Sequence, residues 1–496
     1  MDIIYKYYKY NSLYILISIF YVKYYNIKEM SEINYKTFIS NFNSIIYGIG
    51  DIHGDIMPLI ICLRDCCKVI RKKNGFNFKQ HEIDNDLILQ MEKEWDDETF
   101  QDDLNYEWCG NNSYVVFCGD ILDNVRGPIY KKPGEFPFEE ARIFKFINSI
   151  NKQAMAQNGR LFKVLGNHDM YNLNGKVKSS YSTFVSIYAK DYEGYKQGAE
   201  GRLDYFGRGK PGAHLIGEDG AYLFLMINNF IFVHGGISNS LISIENIKKI
   251  NSSLMKYIYN CDKNDNTFDT ETPNTENSLT FSNESKDGLV LDRYFGFVNG
   301  KTEEEMCTTL YNRFKIICRD MKEKQFSCNP DKMKLVIGHC NQNLITSNNN
   351  QIFKSGFSRL VDNNLVSQEF IKPVFKGDAS KETGIYGITV SCGDRINNTI
   401  DYNNPSIFRI DVGMSRGFNL MDDNEVLIED FILSRTPQVL KIDYTNSNPE
   451  TSVIKSALEN TKIHLSELYN NPYKHKYIKY KLKYYKLKED IKSNIK

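Results

Sequence analysis

The chain has 496 residues, 41% of them hydrophobic, enough for one large domain with insertions or for two to three domains with a sizeable core. Its 62 basic and 62 acidic residues cancel, which argues against a wholesale polyanion-binding protein. Eleven cysteines lie without metal-finger spacing, Cys62, Cys66 and Cys67 read as small buried hydrophobes on a predicted helix, and a reducing compartment fits best.

At the N-terminus, Lys6 and Lys9 precede an apolar run from Leu13 to Val22, shorter than the roughly 20 residues that span a bilayer. No small-residue cleavage site follows, so a secretory signal is the lesser reading and no transmembrane span is expected. Met30-Ser31-Glu32 offers an alternative translation start that would leave residues 1–29 outside the working protein. Three β-type apolar runs come next, each ending in a glycine motif. Ser44-Ile45-Ile46-Tyr47 leads to Gly50-Asp51-Ile52-His53-Gly54-Asp55, and Asp55 can cap a helix over about Met57 to Lys72, with Pro58 in its first turn. An acidic stretch from Glu82 to Glu107, with Trp95 inside it and Trp108 at its end, reads as a helical surface insertion (about 78–110). Tyr114-Val115-Val116-Phe117 leads to Gly119-Asp120-Ile121-Leu122-Asp123, and Leu161-Phe162-Lys163-Val164-Leu165 to Gly166-Asn167-His168-Asp169.

Leu223 to Ile227 and Phe230 to Val233 form a predicted hairpin around Asn228-Asn229. A polar loop follows at about 260–288, rich in Asn, Asp, Thr, Ser and Glu. Thr302 to Met321 has helical character, and strands resume at Lys334 to Ile337, Tyr386 to Val390 and Ile407 to Ile410. In the last segment, Tyr473, Tyr477, Tyr480, Tyr484, Leu487 and Ile491 recur in alternating steps of four and three, with lysines between them. That is a basic amphipathic helix, able to pack on its own domain, to self-associate, or to contact an anionic surface such as nucleic acid or lipid headgroups.

The glycine motifs share one design. A glycine turns the chain where a strand ends, and an oxygen or nitrogen donor follows at once. Ligands of open α/β sheets bind beyond the carboxyl ends of strands, so Asp51, His53, Asp120 and Asn167 converge on one crevice, as a metal site requires. Two more histidines follow strands in the same way, His234 in Phe232-Val233-His234-Gly235-Gly236 and His339 in Val336-Ile337-Gly338-His339-Cys340. Asp and His suit a dinuclear site, and Asn adds a neutral oxygen. His81, His214, His464 and His475 lack such a setting.

In this order the motifs resemble the calcineurin-like metallophosphoesterase superfamily, and within it the phosphoprotein phosphatase group. Gly166-Asn167-His168-Asp169-Met170-Tyr171-Asn172-Leu173, Phe232 to Gly236 and Arg409-Ile410-Asp411-Val412-Gly413-Met414-Ser415 are similar to the Shewanella-like phosphatases. The resemblance implies an α/β fold, a four-layer αββα sandwich with insertions, over residues 34–445. Residues 1–33 and the Lys/Tyr-rich tail 446–496 would flank it. It implies two divalent metal ions (Mn, with Fe or Zn as alternatives), the first on Asp51 and His53, the second on Asn167, His234 and His339, with Asp120 bridging. His168 would be the general acid, oriented by Asp123. Arg126 and Arg293 would bind phosphate.

The implied activity is hydrolysis of phosphomonoesters by a metal-activated water, with a phosphoprotein (Ser, Thr or Tyr) or a small phosphoester as substrate. A dinucleoside-polyphosphate hydrolase and a catalytically inactive scaffold are the alternatives. Two positions depart from the family pattern. Asn124 stands where an arginine is expected after Asp123, with Arg126 two positions later, and Asp169 stands where protein phosphatases carry Glu. The Lys/Tyr-rich tail and AT-biased composition resemble proteins of giant DNA viruses. A cytoplasmic location is expected, that of the host if the protein is viral.

Overall fold

The computed structural model describes residues 36–73, 106–123, 140–175, 198–237, 243–260, 288–296, 302–323, 328–340, 358–361, 364–366, 388–396, 399–401, 404–414, 437–446 and 448–455. The N-terminal apolar run, most of the acidic stretch, the polar loop within 261–287, Arg126 and the Lys/Tyr-rich tail lie outside these residues. In chain order the strands are β1 (Phe38–Ile39), β2 (Ile45–Ile49), β3 (Ile70–Lys72), β4 (Tyr106–Trp108), β5 (Tyr114–Cys118), β6 (Arg160–Val164), β7 (Leu225–Ile227), β8 (Phe230–Val233) and β9 (Lys334–Ile337). They continue as β10 (Ser358–Val361), β11 (Asn364–Val366), β12 (Thr389–Ser391), β13 (Asp394–Ile396), β14 (Thr399–Asp401), β15 (Ile407–Arg409), β16 (Gln438–Asp443) and β17 (Glu450–Lys455). The helices are α1 (Ile56–Ile61), α2 (Glu140–Met155), α3 (Asn167–Leu173), α4 (Gly198–Phe206), α5 (Pro211–Gly217), α6 (Ile244–Ile258) and α7 (Glu303–Glu323).

Two large sheets carry the fold. The first has the order β17-β16-β2-β5-β6, with β2, β5 and β6 parallel. The second has the order β1-β7-β8-β9-β15-β12-β10-β11, with β8, β9 and β15 parallel. Parallel strands covered on both faces read as continuous apolar runs, and β5, β8 and β9 are buried along almost their whole length. The sheets meet face to face at Gly48, where a Cβ would sit 3.3 Å from Ile410 and 3.8 Å from Phe232 across the interface. On the outer face of the first sheet, Asn148 of α2 donates to the Leu215 carbonyl of α5. On the outer side of the second, Asn251 of α6 accepts the Leu223 amide, and α7 is joined to the chain after β12 by a Cys307–Cys392 disulfide. The result is the expected αββα sandwich of α/β class.

Several local expectations need correction. The helix expected over Met57 to Lys72 is short. After α1 the chain widens into a π-helical turn at Cys62–Cys66, where Cys67 N–H donates to the Cys62 carbonyl. Lys68 then takes left-handed backbone at φ 55°, and the β-branched Val69-Ile70 leads into β3. β3 pairs antiparallel with β4, so Tyr106 to Trp108 is a strand and not part of a helical insertion. Trp108 is buried there, its Nε1 donating to the Asn111 carbonyl at 2.9 Å. The pairs Cys307–Cys392 and Cys318–Cys328 are disulfides, which runs against the reducing setting read from cysteine spacing. Tertiary folding brings together cysteines 85 residues apart, a proximity that spacing alone does not reveal. The trio Cys62, Cys66 and Cys67 is buried as expected. Among the described residues, no helix is long and apolar enough to cross a membrane.

Lys163 on β6 sits at 1% exposure, its Nζ donating to Asn148 Oδ1 at 2.7 Å and to the Glu218 carbonyl at 2.6 Å. Burial pushes its ammonium down to about 7. The unfolded chain holds that proton up to about pH 10. Between those values the unfolded state binds the extra proton, so this group makes the fold more stable as pH rises, by roughly 5 kcal/mol in total. Below the folded value its full cost is present. Urea unfolding of Lys163→Met beside the parent should show a stability difference that shifts in the parent's favour from neutral to alkaline pH. A difference constant with pH would refute the buried, depressed lysine.

Candidate metal centre

Five strands end at one edge and each delivers side chains there. Asp51 and His53 follow β2, Asp120 and Asp123 follow β5, Asn167 and His168 open α3 after β6, His234 follows β8, and His339 follows β9. The turns are tight: His53, Asp120, Asp123 and His339 all take left-handed backbone, at φ 43°, 46°, 68° and 61°. Such geometry costs about 1–3 kcal/mol per residue and gathers at functional sites. Gly119, at φ 95°, lets the second motif turn, and a Cβ on it would run into the His234 imidazole. Gly166 lies against the Asp120 carboxylate so closely that a Cβ would overlap it.

Asp51, His53, Asp120 and His234 are buried, and His339 is partly buried. Their donor atoms form two triads, Asp51-His53-Asp120 and Asp120-His234-His339, each within 4.8 Å, with Asp120 common to both. Asp120 Oδ2 lies 3.7 Å from His53 Nε2 and 3.3 Å from His234 Nε2, and Asn167 Oδ1 lies 3.1 Å from His234 Nε2. The ring orientations are set from behind. His234 Nδ1 stands 2.7 Å from the Cys118 carbonyl and His53 Nδ1 stands 3.3 Å from the Leu122 carbonyl. Each Nδ1–H therefore donates to backbone and each Nε2 faces the shared carboxylate, the support that metal-binding imidazoles receive. This donor set of carboxylates, imidazoles and one amide oxygen around a common carboxylate fits a pair of divalent cations.

Burial opposes the charge on His234, but the Asp120 carboxylate raises its imidazole above the ordinary value. Burial opposes the charge on Asp120, but the His234, His168 and His53 imidazoles hold its carboxyl well below the usual range. Burial, then the His234 and Arg293 charges, push the His339 imidazole well below its ordinary value, so it is neutral, the form that binds metal.

His168 lies beside the triads. Its Nδ1 is 2.7 Å from Asp123 Oδ2, its Nε2 is 4.0 Å from Asp120 Oδ2, and its backbone N–H donates to Asp120 Oδ1 at 2.8 Å. At 23% side-chain exposure it reaches the solvent face of the site. Arg293 is exposed at the rim, its Nε 3.1 Å from His339 Nε2. Asp169 is fully buried. Its carboxylate accepts the backbone N–H groups of Ile121, Leu122 and Gly166, clasping the second motif to the third. Burial, then the Asp120 charge, raise it to about 7 against those donors. The carboxylate thus fastens the two loops together.

Three neighbours escaped the sequence reading. Arg202 on α4 is fully buried and donates to Asp123 Oδ1 at 2.8 Å, to Glu140 Oε2 at 2.6 Å and to Asn172 Oδ1. Asn172 stands four residues after His168 on one helix, a spacing that could have flagged it. Arg202 and Glu140 follow no strand end and gave no signal.

A strand-end crevice with two candidate ligand triads about one carboxylate, and a histidine–aspartate pair beside them, is a phosphoesterase type of centre. Residues 45–343 match the calcineurin-like phosphoesterase family, and the chain belongs to that family. Membership implies divalent metals. The chain is 27% identical over 225 residues to Shewanella-like protein phosphatase 1 of Plasmodium berghei, a match covering 44% of this chain and 46% of that protein. It is 23% identical over 226 residues to an uncharacterized protein of Schizosaccharomyces pombe, covering 43% and 53%. The chain thus spans about half the length of the curated relatives it matches. A solved cold-active protein-tyrosine phosphatase of a psychrophilic Shewanella aligns over 84% of this chain and 82% of its own, with 15% identity and a TM-score of 0.39.

Proposed function

We propose that this chain is a dinuclear metallophosphatase that hydrolyses phosphomonoesters, with phosphorylated protein side chains as its substrate class. The observation that carries this reading is the sharing of Asp120 between two ligand triads, with His168 beside it. Asp51 and His53 would hold one ion, Asn167, His234 and His339 the other, and Asp120 would bridge them. When bound, two divalent cations, manganese in our reading, supply Lewis-acid charge and acidify water toward neutral pH. The remaining work falls to side chains of the chain itself. Arg293, exposed at the rim beside His339, offers a guanidinium fork to the phosphoryl oxygens. Arg126 is a second candidate for that role. His168 gives a proton to the departing oxygen, and Asp123 holds the ring through Nδ1, leaving Nε2 for the substrate. Burial opposes the Asp123 charge, but Arg202 and His168 keep its carboxyl well below the usual range, so it stays an acceptor for the ring N–H.

A dinucleoside-polyphosphate hydrolase is the alternative that the choice of substrate separates from this reading. The manganese-loaded protein should turn over p-nitrophenyl phosphate and phosphopeptides, and leave diadenosine tetraphosphate largely intact. Preferential cleavage of the dinucleotide would overturn the substrate class. No hydrolysis of any of them with two metals bound would support an inactive scaffold.

A further inference from the structure

Arg202 sits at 0% exposure behind the general-acid pair, and it is too deeply placed to meet a phosphate. Its guanidinium is a three-way junction. One terminal nitrogen donates to Asp123 Oδ1 at 2.8 Å, the other to Glu140 Oε2 at 2.6 Å, and Nε donates to Asn172 Oδ1. The Phe206 ring flanks it, 5.2 Å from ring centre to guanidinium carbon. Asn172 closes the loop by donating to the same Asp123 Oδ1 at 3.2 Å and to the His168 carbonyl at 2.8 Å. The two oxygens of Asp123 are therefore divided. Oδ1 is fixed by Arg202 and Asn172, and Oδ2 is left to His168 Nδ1 at 2.7 Å.

This division matters because a carboxylate at the end of a left-handed turn, with Asp123 at φ 68°, has no helix or strand to set its plane. A single-point cation such as lysine could balance its charge. A planar fork that also grips α2 at Glu140 and α3 at Asn172 sets its direction as well. The imidazole then inherits that direction.

We infer that Arg202 is the positioning residue of the general-acid pair, fixing Asp123 so that His168 presents Nε2 to the leaving oxygen. The inference rests on the reading of His168 as the acid. Its signature is dependence on the leaving group. An acidic nitrophenol departs without a proton, whereas phenol and alkyl alcohols need one, so a misplaced acid harms only the latter.

The test compares the parent, Arg202→Lys, and a charge-balanced Arg202→Met/Glu140→Gln double variant, all manganese-loaded. Substrates run from dinitrophenyl phosphate through phenyl phosphate to a phosphoserine peptide. Both variants should keep parental metal content and KM, lose less than about threefold in kcat on dinitrophenyl phosphate, and lose about 10–100-fold on the poor leaving groups. A loss equal on all substrates, a loss of metal, or failure of both variants to fold would show a structural hub only and overturn the inference. His168→Ala, run in parallel, separates the two claims. If it lacks leaving-group dependence, the acid assignment itself fails. If it shows that dependence and the arginine variants do not, only the role of Arg202 falls.

Discussion

Asp120→Asn is expected to strip both metal ions from the protein and to abolish phosphatase activity with them. The substitution keeps the shape of the side chain and removes its charge. Asp120 belongs to both triads, with Oδ2 3.7 Å from His53 and 3.3 Å from His234, so neither ion keeps its full ligand set. Even residues that merely orient a metal ligand cost about 10–100-fold in affinity when removed, and losing a shared anionic ligand should exceed that for both ions. The second oxygen, Oδ1, accepts the His168 backbone N–H, a bond an asparagine oxygen preserves, so the loop stays in place. Metal analysis after dialysis, with turnover of p-nitrophenyl phosphate, checks this. Retention of one full equivalent would mean that Asp120 does not bridge.

His168→Ala is expected to give the opposite pattern, with both ions retained and turnover of phosphopeptides lowered by about 10²–10⁴-fold. The imidazole belongs to neither triad, and the hydrogen bond to Asp120 comes from the His168 backbone N–H, which alanine keeps. Its Nε2 is 4.0 Å from Asp120 Oδ2, close enough to serve a leaving oxygen there. Parallel metal analysis and kinetics decide the matter. Loss of metal together with activity would make His168 a ligand or a structural residue.

Much of this candidate site is legible in the sequence. Strand runs such as Tyr114 to Phe117, followed by glycine and then a donor, mark strand ends because the chemistry of turning and the chemistry of binding fall on adjacent residues. The sandwich followed from the family that those motifs resemble. What lay hidden depends on distant partners. Arg202 joins Asp123, Glu140 and Asn172 from three separate segments, and no local pattern foretells that junction. The same holds for Cys307 with Cys392. The widened turn at Cys62–Cys66 defeated a helical pattern that looked continuous, because β-sheet pairing claimed Ile70 to Lys72.

The proposed centre is a pair of metal ions joined through one carboxylate. Electron paramagnetic resonance of the manganese-loaded full chain, with metal content measured on the same sample, tests it most directly. Two manganese ions per chain giving an exchange-coupled spectrum, converted to that of isolated ions by Asp120→Asn, is the predicted result. One ion per chain, or two with the spectrum of independent ions, would contradict it.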